Sequence, residues 1–230
     1  LRFSIVPQRA IGYFISVPGV FVKLFFRAAA ALSLALATTG SGIAAPKAST
    51  LSFNVAARLT SGGNAQSLTS RVLAKGNRVR LETRMGEQNV IFLAAPPYLY
   101  KLIPASKAGV RWKNDKWSSS RFDLQALLRN PSAIRAQLKA RGAKSIGTQK
   151  VGGTLTDILL AKNAMGRGTD VKAWLRRGDA LPLRLEAKSK NMNGVVTWSN
   201  YRRDTPLADA LFQVPQGYNV RERQGRPGLM

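Results

Sequence analysis

The side chains that most often carry out reactions are missing from this chain: its 230 residues include no histidine and no cysteine. A serine-histidine-aspartate triad, a thiolate nucleophile, an imidazole or thiolate metal site and a disulfide framework are therefore excluded. Carboxylates remain, but the 11 aspartates and glutamates are scattered, and no spacing singles out a pair for glycoside chemistry or a cluster for a metal. There is no Ser-x-x-Lys, and no Gly-Lys pair to begin a phosphate loop. The residues point away from an enzyme and call for no cofactor. What the composition supplies instead is apolar surface, in 45% of residues, and a charge of +25 from 36 lysines and arginines. Sequestering hydrocarbon and attracting anions are the chemistry that is left.

Charge alone does not choose between nucleic acid, anionic lipid headgroups and cell-wall polymers, so compartment has to decide. Residues 1–45 contain Arg2, Arg9, Lys23 and Arg27 but no acid, and they close on "RAAAALSLALATTGSGIAA". A basic stretch, an apolar run from Ala28 to Ala37 and then small residues read as a secretory signal, cleaved after Ala44 with Gly42 at the third position back. Its removal takes four positive charges from +25 and leaves +21. The competing reading is a retained anchor, but the run is shorter than the ~20 residues a span requires and dissolves into Thr38, Thr39, Gly40 and Ser41. An earlier apolar stretch, "AIGYFISVPGVFV", and the leading Leu1 fit an over-extended start. Residues 1–44 are thus expected to be a signal peptide, 45–222 one exported domain and 223–230 a flexible basic tail. Export favours an anionic membrane surface over nucleic acid as partner. The aromatic residues Trp112, Trp117, Trp174, Trp198 and Tyr201 are scattered along the chain, where a base-stacking platform would group them.

The elements that must position the apolar residues follow from periodicity. "LSFNVAARLT" sets Leu51, Phe53, Val55, Ala57 and Leu59 on one side of a strand, and "SGGN" is a turn. The returning strand over about 66–75 and "NRVRLETR" repeat the alternation, with Leu68 and Val72, then Val79 and Leu81, opposite Arg71, Lys75, Arg78, Arg80 and Arg84. One greasy and one charged face predict an antiparallel sheet covered on one side only. "NVIFLAAPPYLYKLIP" is two apolar strands, and "SKAGVRWKNDKWSSS" reads as a loop or an edge. The period then changes: Leu124, Leu127, Leu128, Ile134 and Leu138 have helical spacing, with Asn130-Pro131 as a cap and Gly142 as a stop. Strands resume over about 145–151, 154–162, 168–176, 181–190 and 194–203, with Asn193-Gly194 as a strong hairpin signal. "TPLADALF" is one helical turn. There is no internal repeat and no second domain boundary.

The order of these pieces resembles the LolA-like family of periplasmic lipoprotein and lipid carriers. The matching stretches are "GNRVRLE", "YLYKLIP", "KAWLRRGDALPLRLEA" and the closing "LFQVPQGYNV", with Phe212, Pro215, Gly217 and Val220, over about residues 51–222. Membership implies an α+β, mostly β fold: a curved antiparallel sheet forming an unclosed half barrel, with a short helical lid over a cavity for acyl chains. It also implies a lipid or acylated protein as cargo, inner- or outer-membrane partner proteins, and a role in outer-membrane biogenesis. In the family's terms Phe212 plugs the sheet's end, Pro215 stops the helical turn and Gly217 allows the reversal that lets Val220 pair at an edge. Two features depart from the carriers: no long amphipathic helix lies between the signal and the first strand, and Lys75-Gly76-Asn77 stands where the carriers have an arginine-proline pair. The lipoprotein-handover mechanism is therefore not implied.

The expected cavity lining is Phe53, Val55, Leu68, Val72, Val79, Leu81, Phe92 and Tyr100 from the early strands, Leu124, Leu127, Leu128, Ile134 and Leu138 from the helical region, and Leu183, Leu185 and Val195 from the late strands. Plain core is the competing reading for each, because alternation establishes burial and not a void. Arg71, Lys75, Arg78, Arg80 and Arg84 are expected to form a basic outer surface. A basic, non-enzymatic module that binds polyanions or regulates an envelope-stress response is the alternative function.

Overall fold

The computed structural model describes residues 50–113, 132–140, 142–164 and 168–224. The expected signal peptide, Trp117, the Asn130-Pro131 cap, Leu124, Leu127 and Leu128 lie outside them. Alternation produces strands nearly where it predicts them: β1 (Thr50–Ser61), β2 (Asn64–Lys75), β3 (Arg78–Met85), β4 (Gln88–Ala95) and β5 (Tyr98–Ile103). After them come β6 (Ala108–Lys113), the helix α1 (Ser132–Ala140), β7 (Lys144–Val151), β8 (Thr154–Ala161), β9 (Asp170–Arg176), β10 (Pro182–Lys188), β11 (Met192–Arg203) and β12 (Asn219–Glu222). The strands form one sheet in the order β12-β6-β5-β4-β3-β2-β1-β11-β10-β9-β8-β7. Its ends, β12 and β7, do not meet, so the sheet is open, as expected for a mostly β fold with an unclosed barrel. Every neighbouring pair is antiparallel except β12 with β6. The first strand sits in the middle, between β2 and β11, and so ties the two ends of the domain together.

Local chemistry explains the corners. The β1–β2 hairpin turns on Gly62 and Gly63 at φ 55° and 81°, the left-handed pair a two-residue turn requires. Helix α1 ends where Gly142 takes φ 80°. There the Gly142 N–H donates to the Lys139 carbonyl at 2.8 Å and the Ala143 N–H to the Leu138 carbonyl at 2.9 Å. These two bonds satisfy carbonyls the helix would otherwise orphan.

One expectation is refined and one corrected. Of the two readings of "SKAGVRWKNDKWSSS", a loop or an edge, "AGVRWK" is nearer the second: it is strand β6, next to the edge strand β12, and it alternates Val110 and Trp112 against Arg111 and Lys113. Asn193-Gly194 is not a hairpin turn: both residues lie inside β11, and the chain reverses at 189–191, where the Ser189 N–H donates to the Met192 carbonyl at 2.8 Å. The observed register puts Leu185 opposite Val196 and Ala187 opposite Gly194. A turn at Asn193-Gly194 would place Leu185 opposite Arg202, so apolar pairing overrides the local turn signal.

Candidate functional site

Strand parity divides the sheet into a front face, which carries Phe53, and a back face, which carries Arg78. Registers join one front row across four strands: Phe53 opposite Val72, Val72 opposite Leu81, and Leu81 opposite Phe92. A second row runs Leu51, Ala74, Val79, Ala94, Leu99, Trp112. Burial falls along the first row: Phe53 and Val72 are buried, whereas Leu81 and Phe92 are half-buried. In the second row Leu51, Ala74, Ala94 and Trp112 are buried while Val79 and Leu99 are half-buried. The front face is thus closed at β1 and open in places over β3–β5, at Val79, Leu81, Phe92 and Leu99.

Beyond β1 the front is filled. Leu138 and Ala143, from the end of α1, share one buried cluster with Leu159, Ala161, Val171, Ala173, Leu175, Leu185 and Ala187. The Arg135 guanidinium donates to the Asp157 carboxylate of β8 at 2.5 Å and pins the helix over that cluster. Val196 and Trp198 pack against both this cluster and the one around Phe53, Val55 and Val72. Tyr201 joins the latter through a left-handed Asn200, φ 55°, at a break in the β1–β11 register. Its ring stands 5.2 Å from Phe53 and its hydroxyl donates to the Pro182 carbonyl at 2.7 Å. Burial pushes this phenol well above its ordinary pKa, so it stays neutral.

The back face behaves differently from the expectation of one-sided cover. Leu73 and Leu93 have back-face parity, and with Phe212 they form a third buried cluster, joined at its rim by Ala95, Tyr100, Leu207, Leu211 and Val214. Phe212 sits in a single 3-10 turn, Asp209–Phe212, and is 1% exposed. Residues 205–217 therefore lie as a strap across the back of β2–β5. Polar contacts hold the strap: Lys75 donates to the Leu207 carbonyl at 2.8 Å, Arg78 to the Asp209 carboxylate at 2.5 Å and Arg80 to the Leu211 carbonyl at 3.0 Å. The Arg78 guanidinium also lies over the Phe212 ring, 5.4 Å from its centre. The hydrogen bond from Arg78, with help from Lys75, holds the Asp209 carboxyl below the usual aspartate range. After Pro215, Gly217 takes φ 83° and Val220 enters β12 opposite Gly109 of β6.

These placements sort the expected lining. Phe53, Val55, Val72, Val79, Leu81, Leu138 and Leu185 belong to the front clusters. Leu68, opposite Ala57, and Phe92, opposite Leu81, share that face and are half-buried, and Leu183 is buried at the same parity as Leu185. Ile134 lies within α1. Tyr100 and Val195 belong to the back: Tyr100 pairs with Leu93 and packs near Phe212, and Val195 pairs with Arg58 and Glu186. Parity counted from Val196 and Lys101 would have found both. Of the expected basic surface, Lys75, Arg78 and Arg80 hold the strap, whereas Arg71 and Arg84 are exposed. Trp198, Val196, Leu99 and Trp112 are the front residues that sequence reasoning missed; the same alternation, carried through β6 and β11, signals them.

No protein-family model and no curated protein matches the chain. Among solved structures, an uncharacterized conserved protein from Thermus thermophilus is similar at 12% identity, with 89% of this chain and 99% of that one covered and a TM-score of 0.51. A LolA superfamily protein from Nitrosomonas europaea gives 14% identity, coverage of 86% and 98%, and a TM-score of 0.33. Lipoprotein LppX from Mycobacterium tuberculosis gives 14% identity, coverage of 68% and 88%, and a TM-score of 0.44. At such identities the first match bears on fold alone, over nearly the whole of both chains. No helix among the described residues is long and apolar enough to cross a membrane.

Proposed function

We propose that this protein is an exported, non-catalytic carrier that shelters the acyl chains of a lipid or acylated protein against the front of its sheet, for lipid or lipoprotein trafficking in the periplasm. The carrying observation is the row Phe53–Val72–Leu81–Phe92, apolar throughout and progressively less buried toward β5. Hydrocarbon laid on such a surface gains about 0.8 kcal/mol for each methylene removed from water, without any directional chemistry. A chain that has neither histidine nor cysteine is at no disadvantage in that task. The resemblance of "GNRVRLE" through "LFQVPQGYNV" to the LolA-like carriers supports the same reading.

Uptake of a fluorescent fatty acid tests it. The wild-type chain takes up the probe, and Leu81→Asp, which sets a charge in the middle of the row, abolishes uptake while leaving binding to anionic vesicles intact. Equal loss of both activities in a folded variant would sink the separation of the two faces. Arg58 and Arg71, exposed on the back face, favour the second reading, a basic interaction module. A wild-type chain that excludes the probe yet binds anionic vesicles selects that module instead.

A further inference from the structure

The front row does not end at Phe92. It continues opposite Lys101 of β5, then Val110 of β6 and Arg221 of β12. Lys101 is the single cation among the front positions of β1–β6, and no acid occupies any of them. The acids borne by these strands and by β12 lie on the back and are already engaged: Glu82 accepts from Arg80 at 2.7 Å and Glu222 from Arg111 at 3.0 Å. Lys101 is half-buried between Phe92 and Val110, Arg221 is exposed at the edge, and neither has an ion-pair partner among the described residues. Two strand spacings, about 10 Å, separate their backbones, within reach of one headgroup placed over Val110.

We propose that Lys101 and Arg221 are the headgroup site of the apolar row, so that its ligand is an anionic amphiphile whose carboxylate or phosphate sits at the β5–β12 edge while its chain runs over Phe92 and Leu81 toward Phe53. This rests on the carrier reading. An unpaired lysine amid apolar neighbours stabilises an anion there more than it would in open water, because the apolar surroundings weaken solvent screening. From Lys101 to Phe53 the row spans four strand spacings, about 19 Å, enough for a long extended chain. The simpler role, a lysine stem that merely covers apolar surface with its ammonium in water, predicts no preference for anions.

The test titrates the full chain with palmitate, hexadecyl phosphate and neutral hexadecanol, read by tryptophan fluorescence. The wild type is expected to prefer either anion to the alcohol by about ten-fold, the scale of one charge-assisted contact. Lys101→Met with Arg221→Gln removes that preference, leaves hexadecanol binding unchanged and retains the packing of the lysine stem. A wild type with no preference, or a double variant that keeps it, overturns the headgroup site and leaves the carrier reading standing. Inorganic phosphate that displaces the anions as well as an amphiphile does would also overturn it, by reducing the site to one for bare anions. A chain that takes up none of the three overturns the carrier reading itself. If the double variant loses its thermal transition, Arg221→Gln alone carries the test with an expected three-fold loss of preference, and its retention of the full preference overturns the site.

Discussion

Strands β8–β10 and strands β2–β5 belong to one sheet, yet their main covering segments lie on opposite sides. Over β8–β10 the front is sealed by α1, with Leu138 and Ala143 set into a cluster that includes Leu159, Leu175 and Leu185. Over β2–β5 the back is sealed instead, by residues 205–217 with Phe212 against Leu73 and Leu93. The front of β3–β5 is half-buried at Val79, Leu81, Phe92 and Leu99, between the buried Thr83, Val90 and Ala94. A sheet has two faces to bury and a limited supply of other chain to bury them with. The strap, by occupying the back of the early strands, stabilises them without filling their front. An apolar surface that stays partly open while its strands remain anchored is what a hydrocarbon-binding face requires.

The largest expected effect comes from removing the strap's anchor. Phe212→Ala should cost about 3–5 kcal/mol in chemical denaturation, as for other fully buried aromatic residues, and limited proteolysis should then cut within residues 205–217. A variant that stays within about 1 kcal/mol of wild type would show that the strap does not anchor the early strands.

Next, the same truncation made on the front of each half sharpens the contrast. Leu175→Ala, in the filled cluster, should cost about 2–5 kcal/mol, and Leu81→Ala, on the half-open row, about 1–2 kcal/mol, because less apolar surface is returned to water. Equal costs would mean that the two fronts are packed alike. The smallest effect is electrostatic. The Asp209 carboxyl is depressed by Arg78 and Lys75, so its contribution is complete above the unfolded aspartate pKa of about 3.9 and is lost as pH falls through the lower folded value. Asp209→Asn should therefore lower Tm slightly at neutral pH, and the difference from wild type should vanish in acid. A gap that persists in acid would assign the loss to something other than this ion pair.

Much of this was legible in the residues. Alternation located the strands from Leu51 onward to within a few positions, Gly62-Gly63 and Gly142 marked real reversals, and Gly217 and Val220 make the reversal and edge pairing expected of them, whereas Phe212 lies on the back of β2 and β4 and not at the sheet's end. The failures share a cause. Leu73 and Leu93 break the charged pattern of the back face by one residue each, a weak local signal that becomes meaningful only when Phe212, more than 100 residues away, lands on them. Asn193-Gly194 has the composition of a tight turn, but the pairing of Leu185 with Val196 outweighs it. Tyr201 reaches the front only because Asn200 kinks β11.

By itself the sequence determined the chemistry that is absent, the sign of the charge, the strand period and the positions where glycine or proline turns the chain, because each depends on a side chain and its near neighbours. Only the tertiary structure decided which face each half of the sheet buries, that Lys75, Arg78 and Arg80 clasp the strap, and that Lys101 and Arg221 share one row. Those outcomes depend on which distant segments come together, and the free energy of burial goes to whichever apolar surfaces meet, however far apart they stand in the chain.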